Sequence, residues 1–189
     1  MKRISNILRL WLPIAAVTIG LCMLVYLTVQ QSLRQGLNDP QIQMAEDVAA
    51  AIGQERAAVD LLPSTQVDIA SSLAPFLIVY DDAGKVLASS GVLHGQTPSV
   101  PAGVLEYVRT NGEDRVTWQP EAGVRIAAVV VRYDGTKSGF VLAGRNMREV
   151  EKREAQTEQL SFLAMAAILA VSLVLVVFGE LFLRGKTAV

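Results

Sequence analysis

An α+β unit, with an antiparallel sheet and a long N-terminal helix, held between two transmembrane helices, is the architecture this sequence predicts. Three observations predict it. Leu10 to Val29 and Leu160 to Gly179 contain no charged residue. Each matches the ~20 residues a helix needs to cross a bilayer's hydrocarbon core. Between them, apolar residues recur first at helical spacing and then in short runs divided by turn residues, the signature of a helix followed by strands. The expected layout is a cytoplasmic N-terminus at 1–9, a first span at 10–29, an outer domain at 30–159, a second span at 160–183 and a cytoplasmic tail at 184–189.

Composition agrees with two spans. Apolar residues make up 51% of the chain, and the mean hydropathy of +0.37 is high for a soluble domain. The net charge of -1 hides an asymmetry. Lys2, Arg3, Arg9, Arg184 and Lys186 flank the spans, joined only by Glu180, and every other charge falls in the mildly acidic middle. Such a balance gives no footprint for nucleic acid. The basic flanks suit the anionic cytoplasmic face of a lipid bilayer. Lys2, Arg3 and Arg9 precede the first span and only Arg34 follows closely, so the positive-inside rule places both termini in the cytoplasm. Arg145, Arg148, Lys152 and Arg153 before the second span argue weakly the other way. The first helix usually dominates. A cleaved signal peptide fits poorly, because the apolar run is too long and no small-residue cleavage site follows it. Cys22 is the single cysteine and lies mid-helix, so the outer domain has no disulfide and is held by its core.

Along the middle segment, Asn38-Asp39-Pro40 marks a helix start, with Asp39 as cap and Pro40 in the first turn. Ile42, Ala45, Val48, Ala49 and Ile52 then form an apolar stripe, and Gly53 is the expected stop. The stretch to Pro75 contains Pro63, and its pattern admits a short helix through Val67 to Leu73. Phe76 to Tyr80 and Lys85 to Ala88 read as a hairpin around Asp81-Asp82-Ala83-Gly84. Ala102 to Thr110 is a short helix with Val104, Leu105 and Val108 inward, ended by Asn111-Gly112. Arg115 to Gln119, Val124 to Tyr133 and Gly139 to Arg145 are three further strands. The last two are apolar on both alternating sets, so they lie centrally in a sheet covered on both faces. The long helix covers one face and the short helix with its loops the other. No Gly or Pro occurs from Met147 to Phe178, so a helix runs from the last strand into the second span, with Glu149 and Arg153 as a favourable pair on it.

That element order, together with Tyr80-Asp81-Asp82-Ala83-Gly84-Lys85-Val86-Leu87 and Gly139-Phe140-Val141-Leu142-Ala143-Gly144-Arg145, resembles the Cache (PAS-like) extracytoplasmic sensory domains of bacterial two-span receptors. The likeness covers roughly residues 35–155 and is one of layout. It implies a ligand-sensing domain whose state passes through the second span. Receptors of this kind usually continue into a cytoplasmic signalling module. Here only Arg184 to Val189 follow, so output is expected to pass through a separate membrane partner.

Candidate chemistry is sparse. Tyr80, Trp118, Arg125, Arg132, Tyr133 and Arg145 are aromatic and guanidinium groups around a sheet, suited to holding a small organic acid or amino acid through bidentate contacts. The resemblance implies such a ligand. The plainer reading pairs these arginines with Glu106, Glu113 or Glu121 on the surface. His94 is the single histidine, in a glycine-flanked loop, so no metal site or cofactor is expected. Ser89-Ser90 near His94 lacks a nucleophile elbow, and no enzyme is expected. Asp81 and Asp82 read as turn caps. Ala16 to Gly20 and Ala166 to Ala170 are small-residue patterns that would let the two spans pack closely. Glu180 reads as a snorkelling acid at the membrane edge. Two function classes remain: a sensory or small-ligand-binding module that signals through a membrane partner or a homodimer, and a structural or assembly protein of the envelope.

Overall fold

A computed structural model describes residues 2–35 and 39–182. In chain order the elements are α1 (Lys2–Gln35), α2 (Asp39–Gly53), α3 (Ala58–Leu61), β1 (Val67–Asp68), β2 (Phe76–Asp81), β3 (Val86–Ser89), β4 (Gly91–Val92), α4 (Ala102–Asn111), β5 (Glu113–Glu121), β6 (Val124–Tyr133), β7 (Gly139–Asn146) and α5 (Arg148–Phe182). The chain divides into two compact units, Met1–Ser32 with Lys152–Val189, and Leu33–Glu151. The proposed Asn38–Asp39 cap and the charges of Arg34, Arg184 and Lys186 lie outside the described residues and side chains.

The Leu33–Glu151 unit is built on a five-stranded antiparallel sheet in the order β3-β2-β7-β6-β5. The hairpin β2–β3 and the meander β5–β6–β7 join through their inner strands, which leaves β7 central, as its apolar run on both faces requires. Residue alternation then sorts the core into two layers. Phe76, Ile78, Tyr80, Trp118, Ile126, Ala128, Val130, Phe140 and Leu142 face α4, whose Leu105 and Val108 close over them. Leu77, Val79, Val129, Tyr133, Val141 and Ala143 lie on the other side, the first two and the last three beneath Ala45, Val48 and Ala49 of α2. Fully burying a side chain such as Ile78 or Phe140 stabilises the fold by roughly 1.5–3 kcal/mol, and no disulfide assists.

Two glycine-dependent contacts fix the register. A Cβ at Gly144 would sit 2.5 Å from the Phe76 ring, its cross-strand partner. At Gly139 a Cβ would collide with the Tyr80 carbonyl and lie 2.5 Å from Tyr133 Oη. Its absence lets the Tyr133 hydroxyl donate to Tyr80 O at 3.0 Å across β7.

Most expected elements form, with small boundary changes. Residues Val67 to Leu73 are a correction. Instead of a helix they hold β1, which pairs in parallel with β4, and then a turn capped by Asp68, whose carboxylate accepts from Ala70 N and Ser71 Oγ. The single helical turn of this region is α3, further upstream. A β-branched residue followed by Asp and two serines favours a strand end and an Asx turn over a helix interior.

In the other unit, α1 and α5 are long and apolar enough to cross a membrane, and 6% and 0% of their most apolar windows is buried. The small-residue patterns do not bring them together: Ala16, Gly20, Ala166 and Ala170 are exposed, and a Cβ on Gly20 would meet nothing within 4 Å. Two polar pairs join them, and Ala15 is a buried small residue on α1. Trp11 Nε1 donates to Ser172 Oγ at 3.0 Å, and Asn6 Nδ2 to Glu180 Oε1 at 3.3 Å. Glu180 is thus held by a neighbouring helix.

Candidate functional site

The six residues singled out from the sequence fall on both faces of the sheet. Tyr80 and Trp118 are buried on the α4 side, and Arg132 shares that register. Tyr133 lies in the α2 layer, and Arg125 and Arg145 occupy positions of that same alternation. They do not converge on one pocket.

Each of the three arginines has its own partners. Arg125 pairs with Glu151 at 2.5 Å. Arg132 donates to Asp134 at 2.9 Å and to the Arg109 carbonyl at 3.4 Å. Arg145 Nε donates to Leu73 O at 3.0 Å. The pairing expected with Glu106, Glu113 and Glu121 is therefore redistributed. Glu106 takes Arg109, Glu113 takes Arg115, and Glu121 takes His94. The Tyr80 hydroxyl is buried beside the Val100 backbone but in no well-aligned hydrogen bond, and burial raises its pKa. Burial likewise raises that of Tyr133, with help from Asp81 and Asp82.

The groups weighed for catalysis are occupied structurally. Ser90 Oγ is buried, accepting from Leu77 N at 2.9 Å and donating to Leu77 O at 3.3 Å. Asp81 caps its turn by accepting from Lys85 N at 2.8 Å. His94 Nε2 lies 2.8 Å from Glu121 Oε2, and that hydrogen bond and charge raise its pKa. Among the described residues there is no cluster of metal-binding side chains.

What the structure does assemble is a clasp where β7 passes into α5. A single residue, Met147, separates the two elements. Asn146, 4% exposed, bridges the junction. Its Nδ2 donates to Ile69 O at 2.7 Å, and its Oδ1 accepts from Arg148 N at 2.8 Å. The second bond is an Asx-type turn from the residue before the N-cap position Met147, and it satisfies an amide that the first turn of α5 leaves open. Met147 N donates to Arg125 O at 2.8 Å, tying the helix root to β6. Arg145 and Arg148 reach the carbonyls of Leu73 and Ser71. The 69–73 segment is therefore held by three consecutive-region side chains, and the first turn of α5 by Arg125 through its ion pair to Glu151.

Sequence reasoning named Arg125 and Arg145 but missed Asn146. The signal was present: an Asn just before a helical run favours an Asx turn into it. It was hidden because the residue also ends a strand.

Compared with known proteins, the chain matches no family model and no curated protein.

Proposed function

We propose that this chain is a membrane-anchored, extracytoplasmic sensory module of PAS-like (Cache-type) layout, with both termini cytoplasmic, whose state passes through α5 to a separate membrane partner. The clasp carries this reading. The central strand of the sheet continues through one residue into the helix that forms the second candidate span. The bonds at that step couple the 69–73 segment to the helix root. A change in the sheet or in that segment acts on these hydrogen bonds, buried at Ile69, part-buried at Arg148 N and exposed at Ser71, worth about 1 kcal/mol each. The element order of long helix, hairpin, short helix, meander and exit helix supports the PAS-like layout. Tyr80 and Arg132, which share one cross-strand row through Phe140 on the α4 side, are the part of the original set that a small organic acid or amino acid would meet together, with Trp118 in a row six residues away along β6.

The test is hydrogen exchange on the full chain in lipid nanodiscs, with a panel of small carboxylates and amino acids. Binding by one class should protect the α4 side of the sheet and alter exchange at 69–73 and 146–151. Binding without any change at the junction would remove the coupling argument.

A second reading has its own observation. Both sheet faces are filled by apolar side chains, and the six candidate residues do not converge. An assembly protein whose outer domain binds another envelope protein would need no ligand pocket. Crosslinking to one specific envelope protein, with no response to the panel, would favour it.

A further inference from the structure

A cavity of about 190 Å³ lies between α1 and α5 in the unit that holds both candidate spans. Cys22 on α1 and Ser161 on α5 are the small side chains in its lining. The lining is graded. Tyr26, Ser161 and Glu158 supply polar groups toward one end, and Cys22, Met23 and Met165 an apolar, polarisable interior. Glu158 precedes the uncharged run by two residues, so it falls at the membrane–water interface of a spanning helix, where Tyr26 also belongs. Met165 lies about two turns, roughly 10 Å, further along α5. Among the described residues no cation pairs with Glu158, which is exposed at the rim.

A dry apolar cavity of about 150 Å³ is enough to hold a benzene ring, so this one has room for roughly six to eight carbons of a chain. An acid at its wet end and thioethers at its dry end match one chemistry, an aliphatic chain carrying an ammonium head. We propose that this cavity binds a cationic amphiphile, the ammonium group against Glu158 and the chain along Cys22, Met23 and Met165. Annular lipid would fill a groove without regard to head charge, whereas an interfacial carboxylate that no described cation pairs discriminates by it. The proposal rests on α1 and α5 being membrane-embedded and not on the sensory reading.

Cys22, the single thiol, makes the test direct. The full chain in nanodiscs is treated with N-ethylmaleimide alone or with octylamine, octanoate or octanol, and the rate of Cys22 modification is measured. Octylamine should protect Cys22 at about one-fifth the concentration that octanol needs, the ratio an interfacial ion pair gives, and octanoate should protect least. Glu158→Gln, which leaves the helix packing alone, should bring octylamine level with octanol. Ser161→Phe should fill the cavity and remove the effect of all three, with helicity checked by circular dichroism. Equal protection by amine, alcohol and acid, protection by none, or undiminished amine preference in Glu158→Gln would each overturn the proposal. Release of the protein from membranes by alkaline carbonate would show instead that the helices are not embedded.

Discussion

Replacing Asn146 by Ala tests the clasp most directly. The substitution removes one buried and one part-buried hydrogen bond and little volume. One partner is the Arg148 amide at the start of α5, where losing a hydrogen bond of this kind costs about 1 kcal/mol. The other is the Ile69 carbonyl, 2.7 Å from Asn146 Nδ2. Left buried without a donor, it adds roughly 1–3 kcal/mol. The expected loss is therefore about 2–4 kcal/mol, a large part of the ~5–15 kcal/mol that stabilises a domain. It should be local first. Hydrogen exchange on the full chain in nanodiscs should show faster opening of the amides of Ile69 and Ser72, which donate to Val92 O and Asp68 O, with the β6–β7 ladder less affected. Asn146→Asp separates the two bonds. It keeps an acceptor for Arg148 N but sets a carboxylate against the Ile69 carbonyl, so the 69–73 segment should loosen while the helix start stays protected. If Asn146→Ala leaves exchange of residues 69–72 within about 0.5 kcal/mol of wild type, the span of an ordinary surface substitution, the clasp does not hold that segment.

Four further outcomes are expected. Single cysteines at Ser99 and Ser5, both exposed, introduced with Cys22 replaced, should be labelled by an impermeant reagent in intact cells at Ser99 only; the reverse pattern overturns the topology. Val129→Asp, at a fully buried position in β6, should unfold the sheet unit, since an unpaired buried carboxylate costs several kcal/mol; a melt near wild type would contradict the strand assignment. The pKa of His94 is raised in the fold by Glu121, so its pairing contributes stability fully below the ordinary histidine value and loses it as pH rises through the raised one. His94→Gln should flatten the dependence of the melting temperature on pH in that window. Inserting Gly-Gly after Glu154, inside α5, should preserve the fold and any ligand response of the sheet unit while abolishing the response of a membrane partner; an unchanged partner response would reduce α5 to an anchor.

The two long apolar helices and the sheet were legible because each is written in a strong, local signal. The charge-free runs set the helices, and the double-sided apolar character of residues 124–133 and 139–145 dictated central strands. The 54–75 stretch was not legible, since β1 is two residues long and exists only through its pairing with β4, a contact no local pattern encodes. The candidate site was legible in residue type but not in placement. Arg125 and Arg132 are an odd number of positions apart on one strand, so they point to opposite faces, a consequence of strand periodicity that was available from the spacing. The partners of Arg145 were hidden because they are carbonyls of a distant loop. The small-residue patterns misled for a related reason: such spacing permits close approach but does not select which helix approaches.

The position of β7 explains why the junction is the place to look for coupling. Its two neighbours, β2 and β6, belong to the separate hairpin and meander, and β7 alone pairs with both. A ligand or protein acting on either side of the sheet therefore works on strands bonded to the one that enters α5. An edge strand in that role would report one half of the sheet only. The clasp adds a second input, because the 69–73 segment follows β1, which is paired with β4 just after the hairpin. Two changes remote from each other in the sequence, one in β6 and one near β4, thus meet at Asn146. If the sensory reading holds, substitutions of the buried Ile78 in β2 and of Ile126 in β6 should both alter exchange at 146–151, although neither side chain is among the hydrogen-bonding groups of the clasp. Conservative changes such as Ile78→Val and Ile126→Val, costing roughly 0.5–1.5 kcal/mol each, leave the fold intact for the measurement. A junction that responds to one and not to the other would mean that the two halves of the sheet are not read together through β7.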